Sequence, residues 1–216
     1  MVNQRETQMA VAKAGGRAPK KEAVRADGID RRARLLAVAA ELFATKGYAA
    51  TTVRDIADNS GILAGSIYHH FSSKEAMLDE VLRDFLSRLY ERFSEIERQG
   101  DDPREALGKL IRVSFDWIHE APHAVAVYQN ESDNLIGQEG FAYVGDYSLK
   151  IEHIWLRVLT AGQTSGVFRP DLDIKVSYLF VRDAIWSSVR WYRPGGQLTP
   201  ERLADEFLAL ALKGLL

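Results

Sequence analysis

From Asp30 onward the apolar positions of this chain recur at helical spacing. Leu35, Ala39, Leu42 and Phe43 share one face, and Gly47 ends it. Thr52 and Asp55 stand three apart, a capping-box arrangement that opens a short helix through Ile56 and Ala57. Asn59-Ser60-Gly61 breaks that helix, and residues 62–71 predict a second short one. Ser72 with Glu75 predicts the cap of a third. Its stripe of Met77, Leu78, Val81, Leu82, Phe85, Leu89 and Phe93 runs to about Arg98. Asp102 then caps a new helix with Pro103 in its first turn. Further helical segments are expected at 103–119, 121–131, 141–165, 173–192 and 200–215, separated by prolines and glycines. No alternating strand pattern of useful length interrupts them, so the expected fold is all-α, with about nine helices.

Two short helices joined by a glycine turn and backed by a longer helix make a helix-turn-helix. Ala57, Ile62 and Ile67 are expected to lock it from inside. Ala64, Gly65 and Ser66 are small, so the second helix can approach bases closely. Tyr68 and His69 project from the same exposed side, with hydrogen bonds and flat apolar surface to offer phosphates and thymine methyls. Lys74 adds a positive charge at the start of the next helix. Adjacent histidines point to different sides of a helix, which disfavours a metal pair at His69 and His70; Pro122 separates His119 from His123.

Charge sharpens this picture. The net charge is only −2, but residues 1 to 74 carry twelve lysines and arginines against seven acids, a net +5, and the remainder is −7. A basic N-terminal third on an acidic body predicts an anionic partner at one end. Residues 1–28 read as a disordered basic tail and 29–75 as a helix-turn-helix DNA-binding domain, and the family resemblance given below implies that 76–216 is a ligand-binding and dimerisation domain. Cysteine is absent, and no run approaches the roughly 20 apolar residues of a membrane span. With no secretory signal either, a cytoplasmic location is expected. No nucleophile elbow, phosphate loop, metal-ligand spacing or paired carboxylates appear, so catalytic residues, resident cofactors and metals are expected to be none.

The C-terminal part holds all four tryptophans. In the segment "KVSYLFVRDAIWSSVRWYR", Tyr178, Arg182 and Trp186 recur every four residues on one stripe. A buried arginine needs a partner. Asp183 points about 100° away on a helix, leaving Glu131, Asp133 or Glu152 as structural partners, or else the oxygens of a ligand whose rings pack on Trp186. Tyr128, Trp117 and Trp155 complete the expected ligand-binding set. On the other side of that helix Ala184, Ser187 and Ser188 allow close helix approach, and with the final amphipathic helix they suit a homodimer through the last two helices.

The stretches "LFATKGYAATTVRDIA" and "GSIYHHFSSKEAML", at their spacing within residues 31–81, resemble the DNA-binding domain of the TetR family of bacterial regulators. The resemblance implies a homodimeric repressor of a palindromic double-stranded operator, released when a small-molecule inducer shifts the long fourth helix. It places the recognition helix at roughly Leu63 to His69 and phosphate contacts at Thr52, Tyr68 and Lys74. Over nearly the whole chain from Arg31, "VAVYQNE" and "RPDLDIKVSYLFVRDAIWSSVRWYRPGG" are similar to actinobacterial TetR-type repressors of ring-degrading genes of cholesterol catabolism. That similarity implies a coenzyme A thioester of a steroid-degradation intermediate as effector, with Arg190 and Arg193 as candidates for its phosphates. A regulator of an efflux operon sensing another hydrophobic ligand, an activator, and a helical enzyme are the alternatives.

Overall fold

The computed structural model of the chain describes residues 19–215. Among them are nine α-helices and no strand: α1 (Pro19–Lys46), α2 (Val53–Asn59), α3 (Ala64–Ile67), α4 (Lys74–Gln99), α5 (Pro103–Glu120), α6 (Pro122–Leu135), α7 (Ala142–Thr164), α8 (Ile174–Ser187) and α9 (Pro200–Leu215). The first part of the expected tail, residues 1–18, lies outside the described residues. The rest of it is helical, because α1 starts at Pro19 and not near Asp30. Proline suits a first helical position, and "KKEAVRA" is rich in helix formers.

Local chemistry sets most helix ends. Thr52 caps α2 by accepting from the Asp55 amide while the Asp55 carboxylate takes the Thr52 amide. Gly47, Gly61 and Gly100 close turns at positive φ, where a side chain would be strained. The cap of α4 is Ser73, one residue later than expected, accepting from the Ala76 amide at 3.0 Å. Asp102 and Asp173 cap α5 and α8.

Three further helices differ in length from the expectation. The second helix of the helix-turn-helix is a single α-turn, Ala64–Ile67, because Leu63 sits extended at its N-cap with no oxygen to offer. The predicted 173–192 helix ends at Ser187 and tightens into a 3₁₀ turn, Ser188–Arg190. Helix α6 runs on to Leu135, which is buried and anchors one more turn before Gly137.

One core serves both halves. Leu35, Ala39 and Phe43 of α1 meet Ile56, Ala57, Ile67 and Phe71, and α4 covers them with Met77, Leu78 and Leu82. Helix α4 then continues into the C-terminal half, where Phe85, Leu86, Leu89 and Phe93 pack among α5, α6 and α7. Arg32 of α1 pairs with Glu80 of α4 and lies over the Phe71 ring at 4.4 Å. The long helix is therefore shared by the DNA-binding unit and the remainder.

Candidate functional site

The outer face of the helix-turn-helix is bare. Leu63, Ala64, Gly65, Tyr68 and His69 are exposed, and Ser66 is half-buried. Tyr68 is 59% exposed, and among the described residues no side chain bonds its hydroxyl. Its partner Ile67 is fully inward, which fixes the turn's rotation and aims Tyr68 at solvent. Thr52 is exposed, but its hydroxyl already donates to Asp55 at 2.8 Å. That carboxylate also takes the Lys46 ammonium at 2.8 Å, and Lys46 and Thr52 together hold it well below the ordinary carboxylate range. The charge is thereby fixed at any pH near neutrality.

Lys74, expected to contact a phosphate, is engaged within the fold. Its ammonium donates to the carbonyls of Tyr48 (2.7 Å) and Thr51 (2.8 Å) and lies 4.2 Å from the Tyr48 ring centroid. Tyr48 in turn donates its backbone N–H to Glu131 of α6 at 3.4 Å. Burial, with Glu75 and Glu131 nearby, raises the Tyr48 phenol pKa. One residue of the α1–α2 turn thus joins α4 and α6. Lys74→Met should weaken operator binding by loosening this joint while leaving its salt dependence unchanged. A phosphate contact would instead reduce the slope of log affinity against log salt by about 0.9, which titrations at several salt concentrations will distinguish.

A cavity of about 330 Å³ lies between α4, α6, α7 and α8. Tyr128, Trp155, Tyr178, Arg182 and Trp186, five of the six expected ligand residues, line it. The sixth, Trp117, stands one layer back with its ring edge against Phe85, centroids 5.5 Å apart. Phe85 stands with it behind the cavity wall, its ring centroid 5.8 Å from that of Tyr128 and 6.2 Å from that of Trp186. Sequence reading placed Phe85 correctly in the core, and the packing of the helices sets it behind Tyr128 and Trp186, two residues of the cavity wall. Ser148, also overlooked, donates to the Val144 carbonyl, so the 2.7 Å contact with Tyr128 must have the phenol as donor. Burial pushes the Tyr178 phenol up to about 12, so it remains a neutral donor.

Arg182 corrects the expected inward geometry. It is half-buried at the mouth, its side chain 38% exposed, and its Nε donates to Asp183 at 2.7 Å. Glu152 pairs with Lys175 instead, and Glu131 serves Tyr48. The 100° separation between neighbours applies to Cβ positions, whereas an arginine at a rim can fold back along its own helix. Its guanidinium carbon is 5.6 Å from the Tyr178 centroid. The mouth therefore presents a cation paired with a carboxylate that is 68% exposed, and Asp133 and Glu152 also line the cavity.

Arg190 and Arg193 face elsewhere, into a cleft of about 580 Å³ between the end of α1, α6 and residues 189–194. Gln129 borders both spaces. No cluster of three metal-ligating side chains occurs among the described residues, and His119 is bonded to the Tyr192 hydroxyl at 2.7 Å. On the outer side of α8 and α9, Val176, Phe180 and Leu210 are exposed, as is Trp191 just beyond the 3₁₀ turn.

Residues 35–81 match the family profile described as bacterial regulatory proteins, tetR family, and residues 100–215 match a tetracyclin repressor-like C-terminal domain. The HTH-type transcriptional repressor KstR2 of Rhodococcus jostii (strain RHA1) is 46% identical over 86% of this chain and 91% of its own length. The solved structure of the ketosteroid transcriptional regulator KstR2 of Mycobacterium tuberculosis superposes with a TM-score of 0.83 at 47% identity, covering 86% of this chain and 94% of that one. AibR, solved in complex with isovaleryl coenzyme A and operator DNA, has the same fold at 23% identity and a TM-score of 0.72, over 83% of this chain and 97% of its own.

Proposed function

Because the chain belongs to the TetR family of bacterial transcriptional regulators, being a repressor of the KstR2 type and not an enzyme, we propose that its effector is a coenzyme A thioester of a steroid-ring catabolite. The observation that carries this reading is the aromatic cavity with a rim arginine. A hollow of about 330 Å³ is at the small end of the roughly 300–1,000 Å³ of ligand pockets. It suits a fused-ring head and is too small for the coenzyme A tail, which must leave past Arg182. Trp186 and Trp155 offer flat apolar walls, and the Tyr178 hydroxyl offers a donor for a ring ketone.

The reading extends to DNA as follows. Two copies pair through the exposed apolar positions of α8 and α9, a patch that a lone soluble chain would not keep in water. Their recognition turns meet an inverted-repeat operator with half-sites about 34–36 Å apart. Ligand between α4 and α6 shifts both walls, and the Tyr48 joint passes the shift to the helix-turn-helix. The site of action is the cytoplasm, and no described helix is long and apolar enough to cross a membrane.

The test is a gel shift on DNA upstream of the protein's own gene, titrated with a steroid-derived acyl-coenzyme A, the free steroid acid and a short-chain acyl-coenzyme A. Release by the first alone supports the proposal. Release by the free acid, or by no thioester, removes the coenzyme A part of it. On the DNA side, Tyr68→Phe should cost the operator complex roughly tenfold or more, since a hydrogen bond to a charged phosphate contributes about 1.5–3 kcal/mol. Inducer affinity should be unchanged, and an unaltered operator affinity would assign Tyr68 no phosphate.

A further inference from the structure

Leu63 occupies a position where the fold gains nothing from it. It is the N-cap of α3, with φ −73° and ψ 140°, and its side chain makes no capping hydrogen bond. Ser, Thr, Asp or Asn at that position would satisfy an orphan amide, as Thr52 and Ser73 do in the flanking helices. The side chain is also 80% exposed, more than any other large apolar residue described. A missing cap and an isobutyl group held in water are two separate penalties at one residue.

The neighbours narrow what that group meets. From Ile62 to His70 the chain contains no Arg, Lys, Asn or Gln, the side chains that read guanine or adenine through paired hydrogen bonds in the major groove. Ala64 and Gly65 bring no functional group, and a Cβ built on Gly65 would find nothing within 4 Å. Tyr68 and His69 can each supply single hydrogen bonds. On the floor of the major groove, the one feature that an aliphatic side chain distinguishes is the C5 methyl of thymine.

Resting on the DNA-binding reading above, we propose that Leu63 is a specificity-determining residue that buries the methyl group of one thymine in each operator half-site. With paired-bond readers absent from this segment, that methyl sets the base preference at its position.

The experiment uses the full-length protein and the operator defined by footprinting upstream of its own gene. Symmetric pairs of thymines are replaced by deoxyuracil one pair at a time, which removes only the methyl groups, and affinity is read by fluorescence anisotropy at constant salt. One pair should cost about fourfold per methyl, hence about 15-fold together, from the hydrophobic contribution of a buried carbon. In Leu63→Ala the native operator should bind correspondingly less tightly, and the penalty for that same uracil pair should vanish while the others persist. Leu63→Ser restores a capping oxygen, so its Tm should rise or hold while operator affinity falls; a purely structural leucine would lose both. Uracil effects below twofold at every position, or a penalty that survives in Leu63→Ala, overturn the proposal. Absence of any footprint sinks the DNA-binding reading itself, which separates the two failures.

Discussion

Phe85→Ala is expected to destabilise the chain by about 3–5 kcal/mol, the range for truncating a buried aromatic side chain. The ring is 1% exposed and lies against Trp117, Tyr128 and Trp186, drawn from α5, α6 and α8. Its loss removes the common contact of three helices and opens a void behind Tyr128 and Trp186 of the cavity wall. Against a total stability of about 5–15 kcal/mol, that is a large fraction. Thermal unfolding followed by circular dichroism should show Tm lower by about 6–20 °C, taking roughly 2–4 °C per kcal/mol for a chain of this size. Phe85→Leu keeps much of the volume and should lose far less. A loss under about 1 kcal/mol in Phe85→Ala would show that this turn of α4 does not carry the shared core.

Arg182→Met is expected to leave the operator complex intact and to abolish its release by a steroid-derived acyl-coenzyme A at concentrations that empty the wild-type operator. Methionine preserves an unbranched stem against Tyr178. Since Arg182 is half-exposed and Asp183 can return to solvent, the change in stability should stay within about 0.5 kcal/mol. Each charge-assisted hydrogen bond lost to the ligand is equivalent to about 1.5–3 kcal/mol, or roughly 10- to 150-fold in inducer affinity. Anisotropy of labelled operator, titrated with the thioester, reads both quantities in one experiment. Release at the wild-type concentration would confine Arg182 to its ion pair with Asp183.

The helical plan was legible because its punctuation is local. Thr52 with Asp55, Asp102 with Pro103, and glycines at 47, 61 and 100 each act within a few residues, and a single strand of text contains them whole. The misjudged boundaries share a cause. Leu63 withholds a cap where the pattern implied a longer helix, and the end of α8 is decided by Ser188, whose amide is shared between the Ile185 and Trp186 carbonyls. In the ligand cavity, the i, i+4 stripe correctly brought Tyr178, Arg182 and Trp186 together. What it lacked was the facing wall. Trp117 and Phe85 are both deeply buried aromatics on regular apolar stripes, and both stand behind a wall to which α4 contributes Leu86 and Leu89 instead. The turn-to-α6 contact through Tyr48 spans 83 positions of sequence, so no local pattern announces it.

The exposed turn at residues 63–65 also bears on how such a regulator diversifies. Leu63, Ala64 and Gly65 support nothing behind them, while Ile67 alone anchors α3 to the core. Substitutions at these three positions are therefore nearly free of consequence for folding, whereas those in the cavity walls alter sensing and stability together. On the proposed reading of Leu63 and the cavity, a duplicated gene can acquire new operators at little cost in stability, whereas a new effector requires compensating changes across several helices. Operator choice should accordingly drift faster than ligand choice among descendants of this chain.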